Sequence, residues 1–286
     1  MDLHNAPEPQ DSGGRRARAR TGRNLPIAVG VGVGLGALLV ASLYTVKVAF
    51  VAVTVVAIGV AIWEFQRAVA VQAVRVPLVP LILGSIAMLV SAYLRGVDAL
   101  VVALCITSLA MAVWRLPEGP DSYVRDVTAS VFTAVHVPFL AGFAMLLAAP
   151  PDGQHRVLIF IAVTVCSDIG GYFTGILIGR HRLAPVVSPK KTWEGLAGSA
   201  IACMACGAVL VNLLLGGQLW EGVVLGAAVV CAATLGDLGE SMIKRDLGIK
   251  DMGTLLPEHG GIMDRLDSLL LSAPVTWLVL TLLLPS

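Results

Sequence analysis

The sequence predicts an all-α, polytopic integral membrane protein with about nine transmembrane helices. Of its 286 residues 57% are hydrophobic and only 14% are charged, with a mean hydropathy of +0.84, whereas a soluble domain carries about 25% charged residues. Apolar runs recur that are long enough to cross a bilayer, and a helix satisfies its own backbone hydrogen bonds there. Aromatic residues make up only 6% of the chain and regularly alternating strands are absent, which argues against an outer-membrane barrel.

Nine apolar segments account for most of the chain. The polar residues before them include RRARARTGR, with five arginines, which is typical of a disordered cytoplasmic arm that contacts anionic lipid headgroups. We divide the chain into this arm at 1–24, amino-terminal transmembrane helices at 25–160, and catalytic transmembrane helices with two charged loops at 161–286. The predicted segments are 25–43, 46–66, 77–93, 97–114, 126–149, 156–179, 195–215, 219–243 and 262–283.

The basic residues predict how these helices are oriented. If the amino terminus is cytoplasmic, 17 of the 20 Lys and Arg residues fall on the cytoplasmic side, and only Lys47, Arg95 and Arg156 do not. Cytoplasmic segments of membrane proteins are enriched in Lys and Arg. We therefore expect a cytoplasmic amino terminus and two cytoplasmic charged loops, 180–194 and 244–261.

Ionisable residues concentrate beside the last apolar segment. The 28 residues 241–268, SMIKRDLGIKDMGTLLPEHGGIMDRLDS, hold nine of the 39 charged side chains in the chain. On a continuous helix, Asp237, Ser241 and Lys244 lie at i, i+4 and i+7 along one face. A carboxylate, a hydroxyl and an ammonium group are therefore expected to line one side of this helix.

The next helix opens with two more acids. Asp264 and Asp267 share a helical face, and Gly260 and Gly261 precede the helix start, where backbone N–H groups can bind an anion. Carboxylates suit Mg²⁺, which commonly binds through one or two of them together with substrate phosphates, and Lys and Arg neutralise phosphate oxygens. The mixture is typical of a metal-bound polyphosphate site, and ion pairing at the membrane interface is the alternative.

Three other positions bear on function. Asp168 lies inside the apolar run VCSDIGGYFTGILIGR, where an ionisable residue indicates a functional site, with a helix–helix hydrogen bond as the alternative. The loop GRHRLAPVVSPKKTWEG, residues 179–195, combines four positive charges with His181 and favours an anionic ligand over simple orientation of the chain. Glu64 adjoins Trp63 and is predicted to be an anchoring or snorkelling residue at the membrane interface.

The pattern S-M-I-K-R-x4-K-D-x5-P-x-H-G-G-x2-D-R-x-D, from Ser241 to Asp267, resembles the carboxyl-terminal motif of phosphatidate cytidylyltransferases, the CDP-diacylglycerol synthases. GDLGESMIKR, HRLAPVVSPKKTWEG and the region of Asp168 are similar to that family too, so the resemblance covers 168–267. Ile169 and Gly171 depart from it, since the family usually carries a small hydroxyl residue and then Ala before the Tyr.

The resemblance implies an activity in phospholipid biosynthesis: CTP and phosphatidate give CDP-diacylglycerol and pyrophosphate, with Mg²⁺ as cofactor and a second cation as an open alternative. It implies a multi-pass protein of a bacterial cell membrane whose active site faces the cytoplasm. The expected partners are CTP, phosphatidate, membrane lipids and a second copy of the chain, with no nucleic acid.

The resemblance also assigns roles to residues. It implies that Asp237 and Asp264 bind the metal. The implied catalytic residues are Asp237, Asp264, Asp267, Lys244 and Arg245. The implied substrate-binding residues are Asp168, Tyr172, Ser188, Lys190, Lys191, Thr192, Ser241, Lys250, Asp251, His259, Gly260, Gly261 and Arg265.

Three rival functions remain to be separated from this one. A transporter would show internal repeats and a site near the bilayer midplane, but the two halves show no repeat and the charges lie toward one end. A CDP-alcohol phosphotransferase would carry D-G-x2-A-R followed by spaced aspartates, which is absent. A lipid kinase is distinguished by the motif alone.

Overall fold

The computed structural model describes residues 25–253, 255 and 260–284, apart from the side chains of 25–33 and 35. The basic arm and His259 lie outside the described residues. Within these ranges the chain forms α-helices joined by short connections, with one two-stranded hairpin. The elements are α1 (Leu25–Thr45), α2 (Lys47–Ala70), α3 (Leu78–Arg95), α4 (Val97–Arg115), α5 (Tyr123–Ala134), α6 (Leu140–Ala148), α7 (Gly153–Ile178), β1 (Arg182–Ala184), β2 (Ser188–Thr192), α8 (Trp193–Leu215), α9 (Leu219–Asp246) and α10 (Met263–Leu283).

The predicted membrane fold is confirmed. In the described part of the chain, eight helical stretches are long and apolar enough to span a bilayer. They correspond to the last eight predicted segments, and the first predicted segment corresponds to α1, of which Gly36–Thr45 is recorded as a shorter apolar helix. The fold is therefore an all-α polytopic bundle with one small β-hairpin.

The fifth predicted segment, 126–149, is a helix interrupted by an irregular turn. A π-helical turn, Val135–Phe139, separates α5 from α6 and contains Pro138. Proline has no N–H group to donate and its ring displaces the preceding turn, so the hydrogen-bond ladder widens at this point. The two short helices and this turn together make one spanning stretch, Tyr123–Ala148.

The loop 180–194 contains strands that the sequence did not predict. β1 and β2 are antiparallel, with Arg182 opposite Thr192 and Ala184 opposite Ser188. The Thr192 hydroxyl accepts a hydrogen bond from the Gly195 backbone at 3.1 Å and so caps the start of α8. The charged loop is therefore a hairpin between the end of α7 and the start of α8.

Glycines allow α7 and α8 to pack at short range. A Cβ atom on Gly170 would come within 2.8 Å of the Gly198 carbonyl oxygen, and one on Gly195 within 3.1 Å of the Gly171 carbonyl oxygen. Small residues permit this backbone approach in membrane helices. α8 packs in turn on α9, and α9 on α10, so the last four helices surround a common space.

Candidate active site

A cavity of about 490 Å³ opens among α7, α8, α9, α10 and the hairpin. It contains most of the ionisable residues that the sequence singles out on these helices. Four carboxylates and three basic side chains are among its described lining residues. The predicted site residues that line it are Asp168, Tyr172, Lys190, Lys191, Thr192, Asp237, Asp264, Arg265 and Asp267.

Other predicted site residues lie around the cavity without lining it. Ser241 and Lys244 contact two of the lining carboxylates, whereas Arg245, Lys250 and Asp251 are exposed beyond them. The described members of the predicted set outside the lining are Ser188, Ser241, Lys244, Arg245, Lys250, Asp251, Gly260 and Gly261.

Asp237 presents its carboxylate to the cavity from α9. Its Oδ2 atom lies 2.6 Å from the Lys191 ammonium on the hairpin, and its side chain is 34% exposed. Its Oδ1 atom accepts a long hydrogen bond, 3.4 Å, from the Ser241 hydroxyl one turn along the helix. Asp237 is thus an accessible carboxylate whose charge is balanced by a residue that comes from a separate element.

Asp264 lies at the start of α10, and unlike Asp237 both of its carboxylate oxygens accept hydrogen bonds from several donors. Its Oδ2 atom accepts hydrogen bonds from the backbone N–H groups of Met252 at 3.0 Å, Gly253 at 3.4 Å and Gly261 at 2.9 Å. Its Oδ1 atom lies 3.1 Å from the Lys244 ammonium. Asp264 therefore binds the described backbone at 252–253 and 261 as well as lining the cavity.

Glu240 completes this cluster and was not predicted from the sequence. It is fully buried on α9, and its Oε1 atom lies 3.0 Å from the Lys244 ammonium. Lys244 is therefore held between two carboxylates, Glu240 and Asp264. The i, i+4 spacing of Glu240 and Lys244 is the sequence signal that could have identified it.

Asp168 and Asp267 meet at the seam between α7 and α10. The Ser268 hydroxyl lies 3.5 Å from Asp168 Oδ2, and the Ser268 backbone N–H donates to Asp267 Oδ1 at 2.7 Å. The alternative proposed for Asp168, a helix–helix hydrogen bond, is thus present at the limit of hydrogen-bond length. The same carboxylate also faces the cavity, so the two roles are compatible.

Glu194 fixes the hairpin against the start of α8. Its carboxylate accepts the backbone N–H groups of Arg180 at 3.1 Å and His181 at 3.2 Å, and it lies 2.6 Å from His181 Nδ1. These contacts close the base of the hairpin, whose second strand carries Lys191 to Asp237. The hairpin therefore contributes a basic residue to an acidic cavity.

The carboxylates differ in how well they suit a metal ion. No group of three or more His, Cys, Asp or Glu side chains in the described ranges is arranged to hold one. Asp237 and Asp267 nonetheless have carboxylate oxygens not occupied by backbone donors, and Mg²⁺ often needs only one or two carboxylates when phosphates supply other ligands. The oxygens of Asp264 already accept several hydrogen bonds, so in this arrangement Asp264 fits a metal less well.

The expectation for Glu64 is wrong. Its side chain does not snorkel, because the residue is only 2% exposed, and its Oε2 atom accepts the Met263 backbone N–H at 2.9 Å. Trp63 and Arg67 occupy the exposed side of α2, with the guanidinium 4.7 Å from the indole ring. The sequence showed an acid near a helix end, but not that it faced α10.

Comparison with known proteins places the chain in a family. A model of the cytidylyltransferase family matches residues 27–283. The chain is 41% identical over 278 residues to the phosphatidate cytidylyltransferase of Mycobacterium bovis, covering 93% of this chain and 91% of that protein. It is 41% identical to that of Mycobacterium tuberculosis, covering 93% and 85%, and 42% identical to that of Mycobacterium leprae, covering 92% and 90%. The matched region includes most of both halves, so this chain belongs to the cytidylyltransferase family.

Proposed function

We propose that this chain transfers the cytidylyl group of CTP to phosphatidate, which gives CDP-diacylglycerol and pyrophosphate. The observation that carries the proposal is a cavity among membrane-spanning helices in which Asp237, Asp267 and Asp168 face Lys191 and Arg265. The mycobacterial relatives, similar over more than nine tenths of this chain, are named for the same activity.

The chemistry needs charge neutralisation more than a general base. A phosphate oxygen of phosphatidate, already anionic, attacks the α-phosphorus of CTP, and the bond to the β-phosphate breaks as pyrophosphate leaves with its electron pair. Preorganised positive groups stabilise such a transition state. Lys191 and Arg265 line the cavity and would contact the phosphates, while Lys190 adds positive charge beside them.

Asp237 and Asp267 are the residues that would hold Mg²⁺ in this proposal. A bound Mg²⁺ neutralises phosphate charge and aligns an in-line displacement. Asp237 is one of the two metal ligands that the family resemblance implies. Asp264 is the other, and its oxygens already make five contacts, with Lys244 and with the backbone N–H groups at 252, 253 and 261.

The proposed orientation places the cavity on the cytoplasmic side of a bacterial cell membrane. It is supported by the predicted location of 17 of the 20 Lys and Arg residues on that side. CTP would then reach the cavity from the cytoplasm and phosphatidate from the bilayer. A homodimer remains a prediction from the family resemblance.

One assay tests the activity and its sidedness. The chain, purified in detergent, is given phosphatidate, Mg²⁺ and CTP labelled at its α-phosphate, and we expect labelled lipid, with none after chelation of the metal. In membrane vesicles, added CTP should be used by inside-out vesicles only, because the nucleotide does not cross a bilayer. Transfer of the γ-phosphate of ATP to lipid, with no reaction from CTP, would instead identify a lipid kinase.

A further inference from the structure

Glu64 is a buried carboxylate that the proposed chemistry does not use. It lies on α2, in the amino-terminal half of the chain, and does not line the cavity. Trp63 and Arg67 on the same helix are exposed and contact each other. A buried acid in a membrane protein is costly unless its oxygens are partnered, so its contacts need a reason.

The hydrogen bond that this carboxylate accepts comes from the segment that leads into α10. Glu64 Oε2 accepts the backbone N–H of Met263, the first residue of α10, at 2.9 Å. A Cβ atom added to Gly253 or to Gly261 would overlap the Glu64 carboxylate. The carboxylate thus lies directly against both ends of the loop and against the start of the helix, where the helix dipole favours a negative charge.

Asp264 holds the same segment from its other side. It accepts the N–H groups of Met252, Gly253 and Gly261, so the two glycines that lie against Glu64 also donate to Asp264. Of these two carboxylates, only Asp264 faces the cavity. Glu64 therefore contacts the first residue of α10, the helix that carries Asp264 and Arg265.

We infer that Glu64 is a positioning residue for cytidylyl transfer, which acts from the amino-terminal half by holding the start of α10 and its loop in register with the cavity. The expected change in kcat rests on the proposed function. The test therefore also includes a measurement that does not depend on activity. Glu64 touches no reacting group; its effect passes through the Met263 N–H and the two loop glycines.

The first test compares Glu64→Ala with Glu64→Gln. Loss of a hydrogen bond to a buried charged acceptor corresponds to about a 10-fold effect or more, so Glu64→Ala should lower kcat at least about 10-fold with a smaller change in KM for CTP. Glu64→Gln keeps an acceptor oxygen for Met263 and should retain most of the activity. Asp98→Ala, an exposed acid on α4, is the matched control and should be unaffected.

Hydrogen exchange tests the same inference without turnover. In Glu64→Ala, amides of a peptide covering 260–268 should exchange at least about 10-fold faster, whereas a peptide from α8 should be unchanged. Equal protection at 260–268 in the variant and the parent chain would overturn the inference. If the parent chain fails to use CTP but the exchange result holds, the proposed function fails and the positioning role stands.

A double-mutant cycle tests the steric contact. Gly253→Ala should lower activity in the parent chain, because the new methyl group displaces the Glu64 carboxylate, but should cost little when Glu64 is already Ala. Gly59→Ala on α2, where a Cβ atom meets only Ile82 at an ordinary 4.0 Å, is the control. The same cost of Gly253→Ala in both backgrounds would contradict the inference.

Discussion

The two halves of the chain bury charged side chains in different ways. In the amino-terminal half, Arg115 and Asp126 lie 2.9 Å apart with side chains only 3% and 1% exposed. The second Asp126 oxygen accepts the backbone N–H of Arg75 at 3.2 Å. Both oxygens of Asp126 therefore have partners and neither is accessible to a ligand. Such a pair has a structural role, because a buried charge needs a partner.

In the carboxyl-terminal half, acids exceed bases around one open space. Asp168, Asp237, Asp264 and Asp267 line the cavity with Lys190, Lys191 and Arg265, and Glu240 lies behind them. Such incompletely matched groups in a cleft are typical of functional sites. The two clusters differ in access: the Arg115–Asp126 pair is buried and stabilises the fold, whereas the carboxylates that line the cavity are available to a ligand.

The largest expected effect on turnover is at Asp237, a carboxylate that lines the cavity. Asp237→Asn keeps the shape of the side chain but removes its charge, so we expect turnover to fall about 10²–10³-fold, as when one preorganised electrostatic group is lost, with little change in thermal unfolding. Asp246→Asn, an exposed acid on the same helix, is the control. Near-normal turnover of Asp237→Asn would remove this residue from the proposed site.

A large effect on stability, rather than on turnover, is expected at Asp126. Asp126→Ala removes the buried partner of the Arg115 guanidinium and leaves it only the more exposed Glu118 at 3.3 Å, which costs about 3–5 kcal/mol of unfolding free energy. The folded fraction should keep its specific activity. Denaturant unfolding in detergent measures this, with Glu118→Gln as control, because that side chain is 42% exposed and exposed pairs contribute about 0–1 kcal/mol. Equal losses of stability in the two variants would contradict the structural role of the buried Arg115–Asp126 pair.

The smallest expected effect is at the hairpin. Lys191→Ala removes the ammonium that lies 2.6 Å from Asp237, and because both side chains are partly exposed we expect kcat/KM for CTP to fall about 10-fold. Lys191→Arg should retain more of the activity, and Arg95→Ala, at the far end of α3, should retain all of it. A steady-state titration of CTP checks the change, and an unaltered KM and kcat in Lys191→Ala would show that the hairpin has no part in binding.

The spans of this protein could be predicted because hydropathy is a local property. The segment 262–283 corresponds to α10, Met263–Leu283, and 219–243 to most of α9. The π-turn at Val135–Phe139 and the strands of 182–192 were not predicted. Both depend on contacts that the apolar pattern does not encode, namely a widened hydrogen-bond ladder at Pro138 and pairing between two short polar strands.

The candidate site was predicted in part. Helical spacing placed Asp237, Ser241 and Lys244 on one face, and in the structure Asp237 lines the cavity while Lys244 binds Asp264 from behind it. The exposed Arg245 and Lys250 lie beyond the cavity. Their contacts with substrate stay predictions, because charge density along the chain does not say which way a side chain faces.

The sequence by itself determined the membrane class, the order of the spans and the concentration of acids and bases near α9 and α10, since each follows from composition and from spacing along a helix. Only the tertiary structure decided which partner each charge takes. Lys191 reaches Asp237 from a hairpin 46 residues earlier, and Glu64 reaches Met263 from 199 residues away. The helical periodicity of a sequence shows which residues share one face of a helix. Which other element packs against that face depends on the tertiary structure.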